Sequence, residues 1–117
     1  MWVQTNVIGG KMLTDIAIND FKTFFIKNVL YATAIIDGIE SKYPITKKEK
    51  TNDDAVVIYI QIAPQANKKV TIQKVNLYNP NGELWVSKEE NIVLNKINEG
   101  TLYRFSFDFK EVQNVNV

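Results

Sequence analysis

Apolar residues recur at two different spacings along this chain, and the first spacing predicts a helix. Between residues 14 and 28 they recur every three to four positions, the period of one helix face. Thr14 is suited to the N-cap, and Asp20, Lys22 and Lys27 fall on the opposite, polar side. The predicted core face holds Leu13, Ala17, Phe21, Phe24 and Asn28, widened by Ile16, Phe25 and Val29.

From residue 30 onward the spacing shortens to two, which is typical of β-strands. Asp37-Gly38 predicts a tight hairpin turn, and Asn79-Pro80-Asn81-Gly82 predicts a second turn. Residues 46–54 are polar and without periodicity, so they are expected to form a solvated loop. The predicted strands are residues 30–36, 39–45, 55–63, 70–78, 84–88 and 101–109, with residues 91–95 left unassigned.

Three details of these strands carry further expectations. Pro44 cannot donate to a ladder, so its part of the strand is expected at a sheet edge. Residues 55–63 are apolar on both faces, which favours a central strand covered on both sides. Within residues 70–78 the apolar residues change from even-numbered to odd-numbered positions, which predicts a β-bulge near Gln73 and Lys74.

The last strand carries the largest apolar surface of the chain. Its alternation places four aromatic rings on one face, where we expect them to form the core beneath the helix. Those residues are Tyr103, Phe105, Phe107 and Phe109. The chain is therefore predicted to have an α+β fold, with one N-terminal amphipathic helix packed on an antiparallel sheet or small β-sandwich of five to seven strands. The expected organisation is an arm (1–11), one domain (12–110) and a tail (111–117).

Composition narrows the classes of function. The chain has 117 residues, 14 basic and 13 acidic, which is far from the basic surface that nucleic-acid binding needs. No apolar run approaches the length that crosses a bilayer, and residues 1–10 lack the features of a signal peptide. Partners among nucleic acids or membranes are therefore not expected.

Histidine and cysteine are both absent from the sequence, which removes imidazole proton carriers, thiolate nucleophiles and the usual zinc ligands. The serines lie in no nucleophile motif, and the acids fall mostly in turns or on outer faces. The candidate calcium ligands are Asp53-Asp54, or Asp37 with Glu40. They match no spaced calcium-binding motif, so we interpret them as ordinary acidic residues of turns. We expect no catalytic residues, no cofactor and no metal.

Five side chains are candidates for an interface. Trp2, Val7 and Ile8 are costly to expose, so the arm either meets a partner or forms an edge strand of the domain's own sheet. Tyr78 and Trp85 are the other two. An exposed Trp85 would suit a protein partner or a sugar ring, whereas a buried one would belong to the core.

The order of elements resembles a known family. Ile62-Ala63-Pro64 ends a strand, Val75-Asn76-Leu77-Tyr78 forms the next, and Asn81-Gly82-Glu83-Leu84 turns into a third. This region, residues 56–92, is similar to the N-terminal domain of bacteriophage tail-collar and tail-fibre proteins, and the helix matches loosely. The Gly-rich loop that the family carries after the helix is missing here.

The resemblance implies a phage or prophage virion component, such as an adaptor at the baseplate or tail tip, that assembles in the bacterial cytoplasm. It further implies protein–protein contact with other tail proteins, often as a homo-oligomer, and no catalytic residues. The alternative from a different class is a small monomeric binding module, either an inhibitor of a host protein or a carbohydrate binder.

Overall fold

A computed structural model describes residues 4–5, 12–52, 55–64, 68–95, 100–109 and 112–113 of the chain. It contains one α-helix, α1 (Asp15–Asn28). Its strands are β1 (Gln4–Thr5), β2 (Tyr31–Ile36), β3 (Ile39–Tyr43), β4 (Ile45–Lys50), β5 (Ala55–Ile62), β6 (Val70–Tyr78), β7 (Leu84–Leu94), β8 (Thr101–Asp108) and β9 (Val112–Gln113).

Seven of the strands form two antiparallel sheets. One sheet has four strands in the order β3-β2-β6-β7, and the other has three in the order β4-β5-β8. One hydrophobic core draws residues from both sheets and from α1. The molecule is thus mostly antiparallel β-structure with one helix, as an α+β fold requires. The short β1 and β9 pair with each other in parallel.

The helix begins and ends where the sequence predicts. The side chain of Thr14 accepts a hydrogen bond from the backbone N–H of Ala17 at 3.2 Å, and Asp15 places negative charge in the first turn. Val29 is extended and ends the helix. The N-cap prediction is confirmed.

The predicted orientation of the helix is wrong for several residues. Phe24 is 53% exposed and Ile16 is 75% exposed, although both were expected in the core. Lys22, expected in solvent, is only 6% exposed, and the buried helix residues besides it are Ile18 and Phe25. The apolar stripe is broad enough to fit several rotations, so contacts with the sheets decide which part is covered.

The hairpin between β2 and β3 is confirmed. Asp37 has φ of 49° and Gly38 has φ of 84°, the two left-handed positions of the tight turn that matches strand twist. Pro44 follows β3 and precedes β4, so the chain passes from one sheet to the other at this residue. Both strands lie at sheet edges, as a neighbouring proline allows.

The solvated loop predicted for residues 46–54 is wrong over most of its length. Residues 45–50 form β4, which pairs antiparallel with β5. The segment lacks an apolar pattern because it is an edge strand whose lysines reach α1. The Lys48 ammonium donates to the carbonyls of Ile26 at 3.1 Å and Val29 at 2.7 Å. Lys50 donates to α1 side chains in the same way.

The central position of β5 is confirmed. It lies between β4 and β8, and its residues are buried on both faces, with Val57 as buried as its neighbours Val56 and Ile58. Along β8 the aromatic row faces the core: Tyr103, Phe105 and Phe109 are buried and Phe107 is partly buried. The row contacts α1, since the ring of Phe25 lies 4.6 Å from that of Phe107.

The bulge in β6 is confirmed, because the register with β7 shifts between Ile72 and Lys74. Strand β7 is longer than predicted and absorbs residues 91–94, which were unassigned. In the preceding turn, the Asn79 side chain accepts hydrogen bonds from the backbone of Asn81 and Glu83. The predicted turn is confirmed, and its positive φ, 76°, is at Gly82.

Candidate interaction surfaces

Three large apolar side chains are more than half exposed near one end of the four-stranded sheet. Phe24, Leu30 and Leu84 are 53%, 57% and 54% exposed. Leu30 lies there because its N–H donates to the carbonyl of Tyr78 at 2.8 Å, and Tyr78 pairs with Leu84 across the ladder. Phe24 contacts Trp85, with ring centroids 6.2 Å apart. We call Phe24, Leu30, Leu84 and Trp85 the apolar end surface.

A second bulge sets the position of Trp85. Leu77 pairs with Val86 and Tyr78 pairs with Leu84, so Trp85 has no residue opposite it. Its indole packs against Phe25 with centroids 5.3 Å apart and is partly buried against the core. Trp85 was expected to be either an exposed interface residue or a buried core residue. It combines the two, because it packs against Phe25 of the core and also contacts the exposed Phe24.

Tyr78, another predicted interface residue, belongs to a polar cluster on the face of the four-stranded sheet that also carries its ladder partner Leu84. Its ring is stacked on that of Tyr31, with centroids 4.8 Å apart and planes within 9°. Its hydroxyl donates to the Glu40 carboxylate at 2.6 Å. Thr33 donates to the same carboxylate oxygen, also at 2.6 Å. Tyr78 is thus held by its own chain on one ring face and at its hydroxyl.

Two further side chains complete the cluster. The Asn76 amide nitrogen lies 3.4 Å from both the Thr33 hydroxyl and the Glu40 carboxylate, and its Oδ1 is buried with no partner among the residues described. The Lys42 ammonium lies 4.3 Å from the centre of the Tyr31 ring, a cation–π contact. Three strands, β2, β3 and β6, contribute to this cluster.

Hydrogen bonding fixes the protonation states of the cluster. The hydrogen bond donated by Thr33 is the largest cause that lowers the pKa of the Glu40 carboxyl below its ordinary value, and the hydrogen bond donated by Tyr78 is the second. The hydrogen bond to Glu40 raises the pKa of the Tyr78 hydroxyl. At neutral pH the pair is therefore a carboxylate and a protonated phenol, with both groups pushed away from the range where general acids and bases titrate.

A second phenol–carboxylate contact joins the two sheets. The Tyr103 hydroxyl on β8 donates to Glu90 on β7, and Lys88 lies 3.5 Å from the same carboxylate. The pKa of the Tyr103 hydroxyl is raised, mainly by burial and also by the hydrogen bond to Glu90. This contact ties the two sheets together at the side where β7 and β8 are their outermost strands.

The candidate calcium ligands are not brought together. The Asp37 side chain accepts a hydrogen bond from the backbone of Thr71 at 3.1 Å, whereas Glu40 belongs to the tyrosine cluster. Asp53 and Asp54 lie outside the described residues. Among the residues that are described, no three His, Cys, Asp or Glu side chains group in a way that could hold a metal ion.

One cleft, of about 340 Å³, lies between the β2–β3 hairpin and the connection that leads from β5 to β6. Its described lining is apolar at Ile36, Tyr43 and Val70 and polar at Asp37 and Lys68. The cleft holds a single carboxylate among these residues, so it does not assemble the acid pair that glycoside hydrolysis requires.

The remaining predictions concern residues outside those described. Trp2, Val7 and Ile8 fall in this class, so the predicted role of the arm stays a prediction. Within the described part of the chain, no helix is long and apolar enough to cross a membrane.

Sequence reasoning missed Tyr31 and the exposure of Phe24, and it considered Glu40 only as a calcium ligand. Tyr31 stacks on Tyr78 because β2 pairs with β6 over a separation of more than 40 residues, and the local pattern does not reveal that pairing. Phe24 was placed on the core face, and only the observed rotation of α1 exposes it.

Comparison with known proteins identified no relative. No family model matches the chain, and neither the curated proteins nor the solved structures contain a match. The resemblance to phage tail-collar and tail-fibre domains therefore rests on the residues quoted for it.

Proposed function

We propose that this chain is a non-enzymatic structural protein of a phage or prophage tail that assembles by protein–protein contact through the apolar end surface. One observation carries the proposal: Phe24, Leu30 and Leu84 are each more than half exposed beside a partly buried Trp85. The phage assignment is supported by the order of elements, in which a helix precedes a hairpin and the strand–turn–strand unit of β6 and β7.

The apolar end surface has the composition of an interface centre. Aromatic residues are enriched in such centres, whereas charged residues are depleted. Complete burial of one large apolar side chain contributes roughly 1.5–3 kcal/mol, so covering the exposed halves of three such side chains is a substantial driving force. Another copy of this chain would supply the cover.

Contacts within the protein hold the Trp85 ring and the backbone of this surface in place. Trp85 is held against Phe25, whose ring also packs on Phe107 and Phe109. The backbone at Leu30 and Leu84 is fixed by the hydrogen bonds that flank Tyr78. Side chains already ordered in the free protein lose little rotamer freedom when a partner covers them.

The test is the mass in solution, measured by sedimentation velocity over a hundredfold range of concentration. The expected result is an oligomer whose mass falls in the Leu84→Asp variant, because the new carboxylate would have to be desolvated at the contact. Leu84 is exposed, so the substitution leaves the core intact.

Ile39→Asp is the matched control, since Ile39 is 69% exposed at the hairpin, at the other end of β2 from Leu30. This variant is expected to keep the mass of the original protein. A monomer at every concentration would contradict the proposal and favour the monomeric binding module. An oligomer insensitive to Leu84→Asp would show that the apolar end surface is not the contact.

A further inference from the structure

Among the described strands, β8 has a neighbour on one side only. It is the last strand of the three-stranded sheet and pairs with β5 on one side, and no other described strand pairs with it. Alternate backbone N–H and C=O groups of an antiparallel strand point to opposite sides, so about half of those in β8 point away from β5. Such a row of groups is a template for another strand.

The other edges carry the features that discourage strand addition, and β8 lacks most of them. Strand β3 is followed by Pro44, β4 carries three lysines, and the β6–β7 ladder is interrupted by two register shifts. The β5–β8 ladder runs through eight residue pairs, from Thr101 to Asp108, without a shift. An edge that is straight, eight residues long and free of proline or bulges is open to pairing.

The charges on β8 select the partner. Arg104 and Asp108 lie on the same, outer face of the strand and both are exposed. They are four residues apart, about 13 Å along a strand, so they are too distant to pair with each other. Across the ladder they face Tyr59 and Ala55, which are uncharged.

We propose that β8 is a homodimer contact in which two copies of this chain pair antiparallel about a two-fold axis at Ser106. This register places Arg104 of each copy opposite Asp108 of the other, and Phe105 opposite Phe107. A two-fold axis at Phe105 would instead place Arg104 opposite Ser106 and Leu102 opposite Asp108. Opposite charges that face each other across a ladder stabilise pairing, so the first register is favoured.

The dimer joins the two three-stranded sheets into one continuous sheet of six, in the order β4-β5-β8-β8-β5-β4. It also satisfies the free backbone groups of both edges, and it gives Phe107, which is only partly buried in one copy, an aromatic neighbour from the second copy. The contact is self-complementary, as a two-fold interface requires.

A charge exchange tests the contact and its register together. In Arg104→Asp, two carboxylates face each other at both symmetric positions, and in Asp108→Arg two guanidinium groups do so. Each single variant is expected to raise the dimer Kd at least about tenfold, because attraction becomes repulsion at two positions. The double variant Arg104→Asp/Asp108→Arg recreates the opposite pairs and is expected to restore the Kd to within about threefold.

Sedimentation velocity over a concentration series gives the Kd, and hydrogen exchange of the β8 amides at high and low concentration locates the contact. Lys47→Asp on β4 is the control for a charge change at a different edge, and it is expected to leave the Kd unchanged. A double variant as weak as the single ones, or β8 amides whose exchange is independent of concentration, would overturn the proposal. Leu84→Asp alters only the apolar end surface, so the two contacts are tested separately.

Discussion

Glu40 shows how one exposed carboxylate becomes part of the folded structure. It lies on an edge strand, yet one of its oxygens accepts hydrogen bonds from Thr33 and Tyr78 at 2.6 Å each. Thr33 comes from the neighbouring strand β2 and Tyr78 from β6, the next strand of the sheet, and both side chains lie on the same face as Glu40. The carboxylate therefore links three strands of the four-stranded sheet.

The pH dependence of stability is the first prediction at this scale. The pKa of Glu40 is lowered in the folded protein, mainly by the hydrogen bond from Thr33 and also by the one from Tyr78, so the ionised form is favoured. Its contribution to the free energy of unfolding is complete above the ordinary pKa of 4.5 and is lost as the pH falls through the lowered value. Glu40→Gln is expected to cost about 1 kcal/mol at pH 7 and progressively less below pH ~4.

Urea unfolding of the original protein and Glu40→Gln at several pH values between 2.5 and 7 measures this difference. Glu89→Gln, which changes an exposed carboxylate on β7, is the control and should show no comparable convergence. A constant difference across the pH range would contradict the assignment of the ionised carboxylate as the acceptor.

Strand β4 illustrates, at the scale of elements, how a polar segment is held in place. Lys48 donates to two carbonyls at the end of α1, groups that the helix itself leaves without partners. A cation at a helix C-terminus is also favoured by the helix dipole. Burial of the ammonium beside the end of α1 lowers the pKa of Lys48. The strand and the helix are therefore attached by one side chain.

Lys48→Met should separate the charge from the packing of the side chain, because methionine keeps the apolar stem. We expect a loss of about 1 kcal/mol in the free energy of unfolding, the size of a charge-assisted hydrogen bond partly exposed to water. Lys47→Met, which removes a surface ion pair with Glu49, is the control and should change stability by less than about 0.5 kcal/mol. Equal effects in urea unfolding would contradict the role of Lys48 at the helix end.

Elements with a local signal were predictable from sequence, and the one without such a signal was not. The Asp37-Gly38 turn, the bulge near Gln73 and the alternation along residues 101–109 each follow from neighbouring residues. Strand β4 has no such pattern, because it is held by pairing with β5 and by lysine contacts with α1, which its own residues do not reveal. Tertiary contact overrides local propensity there.

The candidate surfaces were predictable only in part. Trp85 and Tyr78 were identified as side chains that need an explanation, yet their surroundings depend on a bulge and on the pairing of β2 with β6. Neither is encoded in the residues next to them. The exposure of Phe24 depends on the rotation of α1, which the broad apolar stripe leaves undetermined.

The ring of Phe25 contacts both sheets of the molecule. Its ring contacts Trp85 of the four-stranded sheet and Phe107 at the end of the three-stranded sheet, with centroids 5.3 Å and 4.6 Å away. Phe109 adds an edge contact at 5.3 Å. One residue of α1 thus packs against aromatic rings from both sheets, so the stability of the two sheets should be coupled through it.

Phe25→Ala is expected to cost about 3 kcal/mol, because it removes a buried ring and leaves a cavity between the sheets. Phe24→Ala provides a matched control on the adjacent residue, and it should cost less than about 1 kcal/mol since Phe24 is exposed. Denaturant unfolding followed by tryptophan fluorescence and by circular dichroism measures both variants. Similar losses in the two variants would contradict the observed rotation of the helix.

The crossing at Pro44 has a consequence for how the molecule can grow. A single residue separates β3 from β4, and its carbonyl accepts a hydrogen bond from Gln61, so the chain has no slack there. At the flank of the sandwich that carries these two strands, Pro44 connects the two sheets directly. At the opposite flank, where β7 and β8 end the sheets, six residues separate the two strands. Strand addition at β8 would stop at a pair, because a two-fold contact occupies this edge in both copies.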